Sequence, residues 1–202
     1  MTSDSGRDVV MVHGIMTTGG VFFRMKNYLE RQGMRCHVIQ LKPYWGGAKL
    51  EDLATQLQKF IDDNVQDGGD LSLVGYSMGA LVCRYYLQEL GGYKKAKRFF
   101  SISGPHHGTI FAYTWIGKGT AQMRLGSTFL DNLNKKQDML KNMTLVSYRT
   151  RFENVIIPSK SSHWDIAENV ICPVISHQWM VLSKRVSKNI CSRIKKDKSI
   201  EI

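Results

Sequence analysis

The sequence lacks the features by which several classes of protein are recognised. Its four cysteines lie far apart with no C-x-x-C pair, which argues against a zinc site and favours reduced thiols. No apolar run approaches the roughly 18 residues that a membrane-spanning helix needs. There is no fixed-period repeat, no low-complexity segment and no cluster of glycine and proline that would mark a linker. We therefore expect a single domain over residues 1–202.

The N-terminus also lacks a basic segment followed by an apolar one, the pattern that directs export. This absence favours a cytoplasmic protein, with peripheral membrane attachment as an alternative, or a secreted protein if the chain is a trimmed mature form. Acidic residues are few, 17 against 28 lysines and arginines, and the net charge is +11. Such an excess favours anionic partners such as phospholipid headgroups or an acidic protein surface. Nucleic acid is not expected as a partner.

What the sequence does contain is an alternation of apolar runs with amphipathic segments. The predicted strands are 9–12, 36–41, 71–75, 98–104, 144–149 and 168–174. The predicted helices are 21–33, 49–65, 80–90, 127–136 and 178–194. Strands separated by helices of this length form a parallel sheet that is covered on both faces. The fold class is therefore α/β, a three-layer α/β/α sandwich with a mostly parallel sheet of about six strands.

The segment Gly75-Tyr76-Ser77-Met78-Gly79 lies where a predicted strand ends and a helix begins. It has the pattern G-x-S-x-G, and a strand-turn-helix context is the one in which this pattern forms a nucleophile elbow. Such a turn strains the backbone of the serine, and the two glycines remove Cβ atoms that would collide with the neighbouring strand and helix. Ser77 is therefore the predicted nucleophile.

A serine hydroxyl needs a base to become a good nucleophile, and the base needs an acid partner that fixes its tautomer. Proteins with this elbow place the acid and then the histidine after the serine along the chain. Glu153 follows the strand 144–149 and is the predicted acid, while His177 follows the last strand and is the predicted base. Asp165 lies between these two positions and is an alternative acid. His177 could instead serve only to begin the last helix.

A His-Gly turn follows the first predicted strand, in "VMVHGIM" at 10–16. Such a turn can direct a backbone N–H toward the serine, and we assign this donor to Ile15. Together with the N–H of Met78 it would form an oxyanion hole for the tetrahedral intermediate. We interpret His13 itself as structural and not as a base.

These segments resemble the small α/β-hydrolase lipases, especially the minimal bacterial triacylglycerol lipases that lack a large lid domain. "VVMVHGIM" is similar to their oxyanion strand and turn, "LVGYSMGALVCRYYL" to their elbow and helix, and "ENVIIP" with "SHQWM" to their acid and base loops. "SGPHHGT" and "LGSTFLDNLN" are similar to segments between elbow and acid. The resemblance spans nearly the whole chain and implies a minimal α/β-hydrolase fold, a Ser-acid-His triad, an acyl-enzyme and an ester substrate. One departure is that the family's acid is usually Asp, and Glu153 is one methylene longer.

The first hypothesis is therefore a serine ester hydrolase, a lipase or carboxylesterase, acting on a small-molecule or lipid-like acyl ester. The chemistry requires no metal or organic cofactor, and no metal site is predicted because His106 and His107 have no acidic or cysteine partner at useful spacing. The same triad would also serve a thioesterase or an acyltransferase. A non-catalytic binding module on the same fold is the remaining alternative.

Two further segments leave alternatives open. Residues 111–126 combine aromatic and small residues, which fits a mobile flap over an acyl pocket or an ordinary surface loop. The basic C-terminal segment 184–202 surrounds an apolar stripe that predicts a core-facing helix side. The stripe consists of Leu182, Val186, Ile190 and Ile194. The cations around it fit a solvated tail or a peripheral contact with an anionic membrane.

Overall fold

A parallel sheet forms the centre of the molecule. The computed structural model describes residues 6–66 and 68–196. The strands are β1 (Arg7–Val12), β2 (Arg35–Ile39), β3 (Asp70–Tyr76), β4 (Ala96–Ile102), β5 (Thr144–Thr150) and β6 (Glu168–Cys172). They pair in the order β2-β1-β3-β4-β5-β6, and each neighbouring pair is parallel. Each of the predicted strands is present, so the predicted α/β class is confirmed.

Helices cover both faces of this sheet. They are α1 (Phe23–Glu30), α2 (Leu50–Asn64), α3 (Met78–Glu89), α4 (Lys118–Gln122), α5 (Thr128–Lys135), α6 (His177–Leu182) and α7 (Lys184–Lys196). Short 3-10 turns occur at Gly19–Phe22, Gly92–Lys94, Ile110–Tyr113, Gln137–Leu140 and Ser159–Ser162. The apolar sides of α1, α6 and α7 share one buried cluster with the sheet, and those of α2, α3 and α5 share the other. This is the predicted three-layer sandwich.

The central strand β3 is buried along its whole length. Its side chains alternate between the two clusters, because successive residues of a strand point to opposite faces. Leu71 and Leu73 pack with α2 and α3, while Val74 and Tyr76 pack on the opposite face with α6 and α7. The same alternation therefore brings Tyr76, at the carboxyl end of the strand, to the face that carries α6.

The prediction of one closing helix over 178–194 is wrong, because the chain forms two helices there. Ser183 separates them with an extended backbone (φ −69°, ψ 119°). Its carbonyl accepts the N–H of Ser187 at 3.1 Å, and its hydroxyl accepts the N–H of Val186 at 3.5 Å. A serine that satisfies the free N–H groups at a helix start is a common N-cap, so the polar side chain at 183 begins a new helix.

The apolar stripe predicted on the last helix does face the core. Val186, Ile190 and Ile194 are fully buried, and Leu182 is partly buried against the same cluster. Residues 197–202 of the predicted basic segment lie outside the described residues. Within the described ranges, no helix is both long enough and apolar enough to cross a membrane.

Candidate active site

Ser77 lies in the turn between β3 and α3, where the sequence predicts a nucleophile. Its φ and ψ angles are 54° and −122°, a conformation that costs a non-glycine residue on the order of 1–3 kcal/mol. The N–H of Ser77 donates to the carbonyl of Ile102 at 2.9 Å, and its own carbonyl accepts the N–H of Ala80 at 2.9 Å. These bonds hold the strained residue at the carboxyl edge of the sheet.

Two glycines make room for this turn. A Cβ atom at Gly75 would lie 2.6 Å from Cα of Ala80 in α3. A Cβ atom at Gly79 would lie 2.2 Å from the carbonyl oxygen of Val12 in β1. Both distances are shorter than van der Waals contact, so the elbow approaches its neighbours only because both positions lack a side chain.

We expect Gly79→Ala to destabilise the fold, because the added methyl would overlap a main-chain atom of β1. Overpacking of this kind costs about 1–3 kcal/mol or more, so the urea midpoint of unfolding should fall. Gly20→Ala is the matched control, since a Cβ atom there has only Oγ1 of Thr18 nearby, at 3.5 Å. Equal midpoints for the two variants would contradict the close approach of elbow and β1.

His177 and Glu153 come together at the same edge of the sheet. His177 is the first residue of α6, and Glu153 lies in the connection after β5. Nδ1 of His177 is 3.1 Å from Oε1 of Glu153, and only 5% and 2% of the two side chains are exposed. Nδ1 makes no well-aligned hydrogen bond to any described residue. Catalytic hydrogen bonds are often poorly aligned in unliganded sites and tighten when substrate binds. The separation of Nδ1 and Oε1 is already within hydrogen-bonding distance.

A local turn fixes the carboxylate of Glu153. Its Oε1 accepts the backbone N–H groups of Asn154 and Val155 at 3.0 Å and of Ile156 at 3.3 Å. Burial by itself would raise the pKa of Glu153, but the adjacent His177 and the backbone N–H groups outweigh it, and the pKa of this carboxyl lies below its ordinary value. Glu153 is therefore ionised near neutral pH.

The lowered pKa of Glu153 predicts a pH dependence of stability. The ionised carboxylate stabilises the folded state above the unfolded pKa of about 4.3, and this contribution is lost as the pH falls through the lower folded-state pKa. Between about pH 6 and pH 3, the wild type should lose more unfolding free energy than Glu153→Gln. Urea unfolding of both proteins across this range measures the difference, and parallel profiles would show that the folded state does not favour the ionised carboxylate.

Asp165, the alternative acid, has different surroundings. Its side chain is 64% exposed, and its Oδ1 lies 3.6 Å from Nε2 of His163. The preceding residue, Trp164, is fully buried and packs edge-on against Phe99 of β4. The structure thus places Glu153, and not Asp165, beside the imidazole of His177.

Two residues that the sequence analysis did not single out position His177. The ring of Tyr76 packs against the imidazole with centroids 5.0 Å apart, and its hydroxyl donates to the carbonyl of His177 at 3.4 Å. Oδ1 of Asn154 accepts the backbone N–H of His177 at 3.0 Å. Strand alternation could have shown the direction of Tyr76, whereas no pattern in the sequence marks Asn154.

The predicted oxyanion donors are Met78, which follows Ser77 directly in the chain, and Ile15, which lies across the site from it. Met78 begins α3, and the first N–H groups of a helix have no partner within it. Ile15 lies in the turn after β1 and lines the same cavity as Ser77. Its N–H makes no hydrogen bond to another described residue, whereas the N–H of Met16 donates to the carbonyl of Tyr44 at 2.9 Å.

A cavity of about 380 Å³ opens beside Ser77 and His177. Its walls are mostly apolar, and the side chains of Phe111, Trp115 and Met123 form part of them. The volume lies toward the small end of the roughly 300–1,000 Å³ range of ligand sites. Segment 111–126 therefore supplies a wall of the pocket, the position in which a flap would lie.

The buried histidines other than His177 are His13 and His106, and both make structural contacts. Nε2 of His13 accepts the N–H of Leu41 at 3.0 Å, and its Nδ1 lies 2.9 Å from the carbonyl of Gly14. Burial lowers the pKa of His13, which favours the neutral ring. His106 stacks on Trp164 and contacts the hydroxyl of Ser101 at 2.8 Å. The contacts of His13 agree with its structural interpretation, and those of His106 are also packing and hydrogen-bonding contacts.

Six parallel strands with an elbow serine after the third define the class of the protein as the α/β-hydrolases, and solved structures agree. The mature lipase BlEst2 of Bacillus licheniformis superimposes with a TM-score of 0.77 at 16% identity, over 95% of this chain and 94% of that chain. Lipase B of Aspergillus fumigatus superimposes with a TM-score of 0.77 at 11% identity, over 96% of this chain and 53% of that chain. The esterase EaEST of Exiguobacterium antarcticum superimposes with a TM-score of 0.71 at 14% identity, over 94% of this chain and 92% of that chain. These similarities confirm the minimal α/β-hydrolase fold.

The family follows from the sequence of the first two thirds of the chain. A family model described as palmitoyl protein thioesterase matches residues 8–130, more than half of the chain. The chain therefore belongs to the palmitoyl protein thioesterase family, and it is an ester-bond hydrolase. No curated protein sequence matches it at a significant level. The family match includes Ser77 but ends before Glu153 and His177, whose pairing is seen in the geometry alone.

Proposed function

We propose that the protein hydrolyses acyl esters with a triad formed by Ser77, His177 and Glu153. One observation carries the proposal. The strained elbow serine and a buried histidine line the same apolar cavity, and the carboxylate of Glu153 lies 3.1 Å from Nδ1 of that histidine. A nucleophile, a base and a group that orients the base are the parts that acyl transfer needs.

In the first half of the reaction, Oγ of Ser77 attacks the acyl carbonyl carbon while Nε2 of His177 takes the hydroxyl proton. The negative charge on the carbonyl oxygen is stabilised by the N–H groups of Ile15 and Met78. Glu153 remains ionised, because its pKa is already lowered, and stabilises the imidazolium through Nδ1. The imidazolium then returns its proton to the leaving alcohol, and the acyl group stays on Ser77.

In the second half, His177 takes a proton from a water molecule, and the water oxygen attacks the acyl-enzyme. The second tetrahedral intermediate uses the same two N–H donors. Its collapse returns the proton from the imidazolium to Oγ of Ser77 and releases the carboxylic acid. Tyr76 packs against the ring of His177, and Asn154 holds the backbone N–H of His177, through both halves.

The walls of the cavity favour an apolar acyl chain. Phe111, Trp115, Met123 and Ile156 surround space beside the elbow, and burial of apolar chain there is favourable at about 0.8 kcal/mol per methylene. We infer a lipid-like acyl group as the preferred substrate. The limited volume should set an optimum chain length, beyond which further carbons extend out of the pocket mouth.

Thioester hydrolysis is the second candidate, and the family favours it. The name of the matching family is palmitoyl protein thioesterase, and the same triad cleaves an oxygen ester or a thioester with the same acyl chain. The difference lies in the leaving group, which departs as a thiol instead of an alcohol.

The test compares p-nitrophenyl esters from acetyl to palmitoyl with acyl-coenzyme A thioesters of the same chain lengths. We expect Ser77-dependent turnover with an optimum at a chain longer than acetyl. A higher kcat/KM for thioesters at matched chain length would assign the thioesterase activity. Absence of turnover that depends on Ser77 in both series would refute the proposed function.

A further inference from the structure

The exposed apolar side chains of the protein are concentrated on one edge. Within residues 6–66 and 68–196, the strongly exposed large apolar side chains other than Met139 and Ile171 share one location. They lie in the connections that leave the carboxyl ends of strands or in the first turn of the helix that follows. These connections are 13–22, 40–49, 103–127, 151–167 and 173–176. This is also the edge at which Ser77 and His177 lie.

Part of this apolar surface surrounds the opening of the cavity, and we name that part the mouth rim. It consists of Met16, Phe111, Trp115, Ile116, Ile175 and Trp179. Met16, Phe111 and Trp115 also line the cavity, and the other three lie within two residues of cavity-lining positions. Ile116 is 93% and Ile175 is 75% exposed. Exposure of isoleucine side chains to water is unfavourable, and a group of exposed apolar side chains marks a surface that another surface covers.

The kinds of aromatic residue at this edge indicate what covers it. Trp45, Trp115 and Trp179 are all exposed there, and the fourth tryptophan of the chain, Trp164, is buried. Tyr44 and Tyr113 are exposed in the same connections. Tryptophan and tyrosine favour the boundary between lipid and water, because their rings are apolar and carry a polar group.

Cations outnumber the exposed acids at this edge. The five connections contain the cations Lys42, Lys49, Lys118, Arg124, Arg151 and Lys160 and the acids Glu153 and Asp165. The side chain of Glu153 is buried beside His177, and Asp165 comes three residues before β6, where this connection has returned toward the opposite edge. The first turns of the helices that follow add the cations Arg24 and Lys26 and the acids Glu51, Asp52 and Asp131. An edge of this composition is attracted to anionic headgroups, and a second copy of the same face would meet it with like charge.

We propose that this edge docks on a lipid surface that contains anionic headgroups, with the mouth rim inserted among the acyl chains. In this orientation the cavity opens directly into the lipid, and an acyl chain can pass from the layer to Ser77 without crossing water. Docking itself does not depend on the proposed reaction, because it uses the rim and the surrounding cations and not the triad.

The docking surface differs from the one that the basic C-terminal segment would offer. Lys184, Arg185 and Lys188 of α7 are exposed, but this helix carries its apolar stripe toward the core and has no apolar side chain to insert. We therefore expect α7 to contribute a smaller electrostatic attraction than the rim.

The experiment measures binding of full-length Ser77→Ala protein to vesicles by cosedimentation, so that no lipid is hydrolysed and failure of catalysis cannot imitate failure of docking. Vesicles of phosphatidylcholine are compared with vesicles that also contain phosphatidylglycerol. In this background, Ile116→Ser with Ile175→Ser should weaken binding about tenfold or more, because both substitutions replace an apolar side chain that would be buried among the acyl chains. Met139→Ser with Ile171→Ser, which removes exposed apolar side chains elsewhere, should leave it unchanged.

Thermal unfolding of each variant establishes that it is folded before its binding is compared. Binding that requires phosphatidylglycerol and falls only in the rim variant supports the proposal. Equal weakening in the two apolar pairs, or no binding by the parent protein, would overturn it. Loss of binding in Lys184→Gln with Lys188→Gln but not in the rim variant would also overturn it and would assign docking to α7.

Discussion

Ser77→Ala should lower kcat for every ester that the wild type hydrolyses by about 10⁴- to 10⁶-fold, the loss seen when a triad nucleophile is removed. The expected cause is local. The serine occupies a strained elbow whose backbone is fixed by bonds to Ile102 and Ala80, so an alanine there keeps the turn and removes only the nucleophile. A p-nitrophenyl ester assay measures the change, and a circular dichroism spectrum equal to that of the wild type shows that the fold is retained.

The same experiment tests whether Ser77 and His177 act together. His177→Ala should cause a loss of similar size, and the double variant should be no slower than either single variant, because members of a triad act as a unit. His107→Ala, at an exposed histidine outside the cavity, is the matched control and should retain wild-type turnover. A Ser77→Ala protein within about tenfold of wild-type kcat would mean that the elbow is not catalytic.

The sequence was sufficient for the fold because each level of the pattern agrees with the others. The apolar run at 71–75 is buried on both faces as a central strand, and the glycines at 75 and 79 stand where a Cβ atom would overlap α3 or β1. Short-range steric requirements of this kind are visible in residue types. The position of the elbow was therefore predictable to the residue.

The parts that were not predictable depend on contacts between segments distant in the chain. Whether Glu153 or Asp165 reaches His177 depends on how the β5 connection folds, which hydrophobic periodicity does not report. The helix break at Ser183 required recognising one serine as an N-cap inside an otherwise continuous helical pattern. The assignment of catalytic roles itself stays a prediction until the variants are measured.

The mouth rim could not be predicted from the sequence for a different reason. In sequence, Phe111, Trp115 and Ile116 occur in one segment and Ile175 and Trp179 in another, and no sequence pattern shows that the two segments meet. They become one surface only because parallel strands bring all their outgoing connections to one edge. The fold thus collects apolar residues around the opening that the elbow serine requires.

Glu153→Gln should lower kcat by about 10³- to 10⁴-fold, whereas Asp165→Asn should change it by less than about twofold. Glutamine keeps the length and an oxygen that can accept the N–H groups of Asn154 and Val155, so the turn is preserved. What it removes is the negative charge beside Nδ1 of His177, which the imidazolium needs in the transition state. Asp165 is exposed, and its charge is screened by solvent and salt.

A third variant separates the effect of the negative charge from the effect of its distance to Nδ1 of His177. Glu153→Asp keeps the carboxylate but withdraws it by one methylene from a contact that is now 3.1 Å long. Its kcat should therefore fall between those of Glu153→Gln and the wild type, since a longer ion pair stabilises the imidazolium less. If Asp165→Asn instead loses activity as strongly as Glu153→Gln, the acid is not the residue that the structure places beside His177.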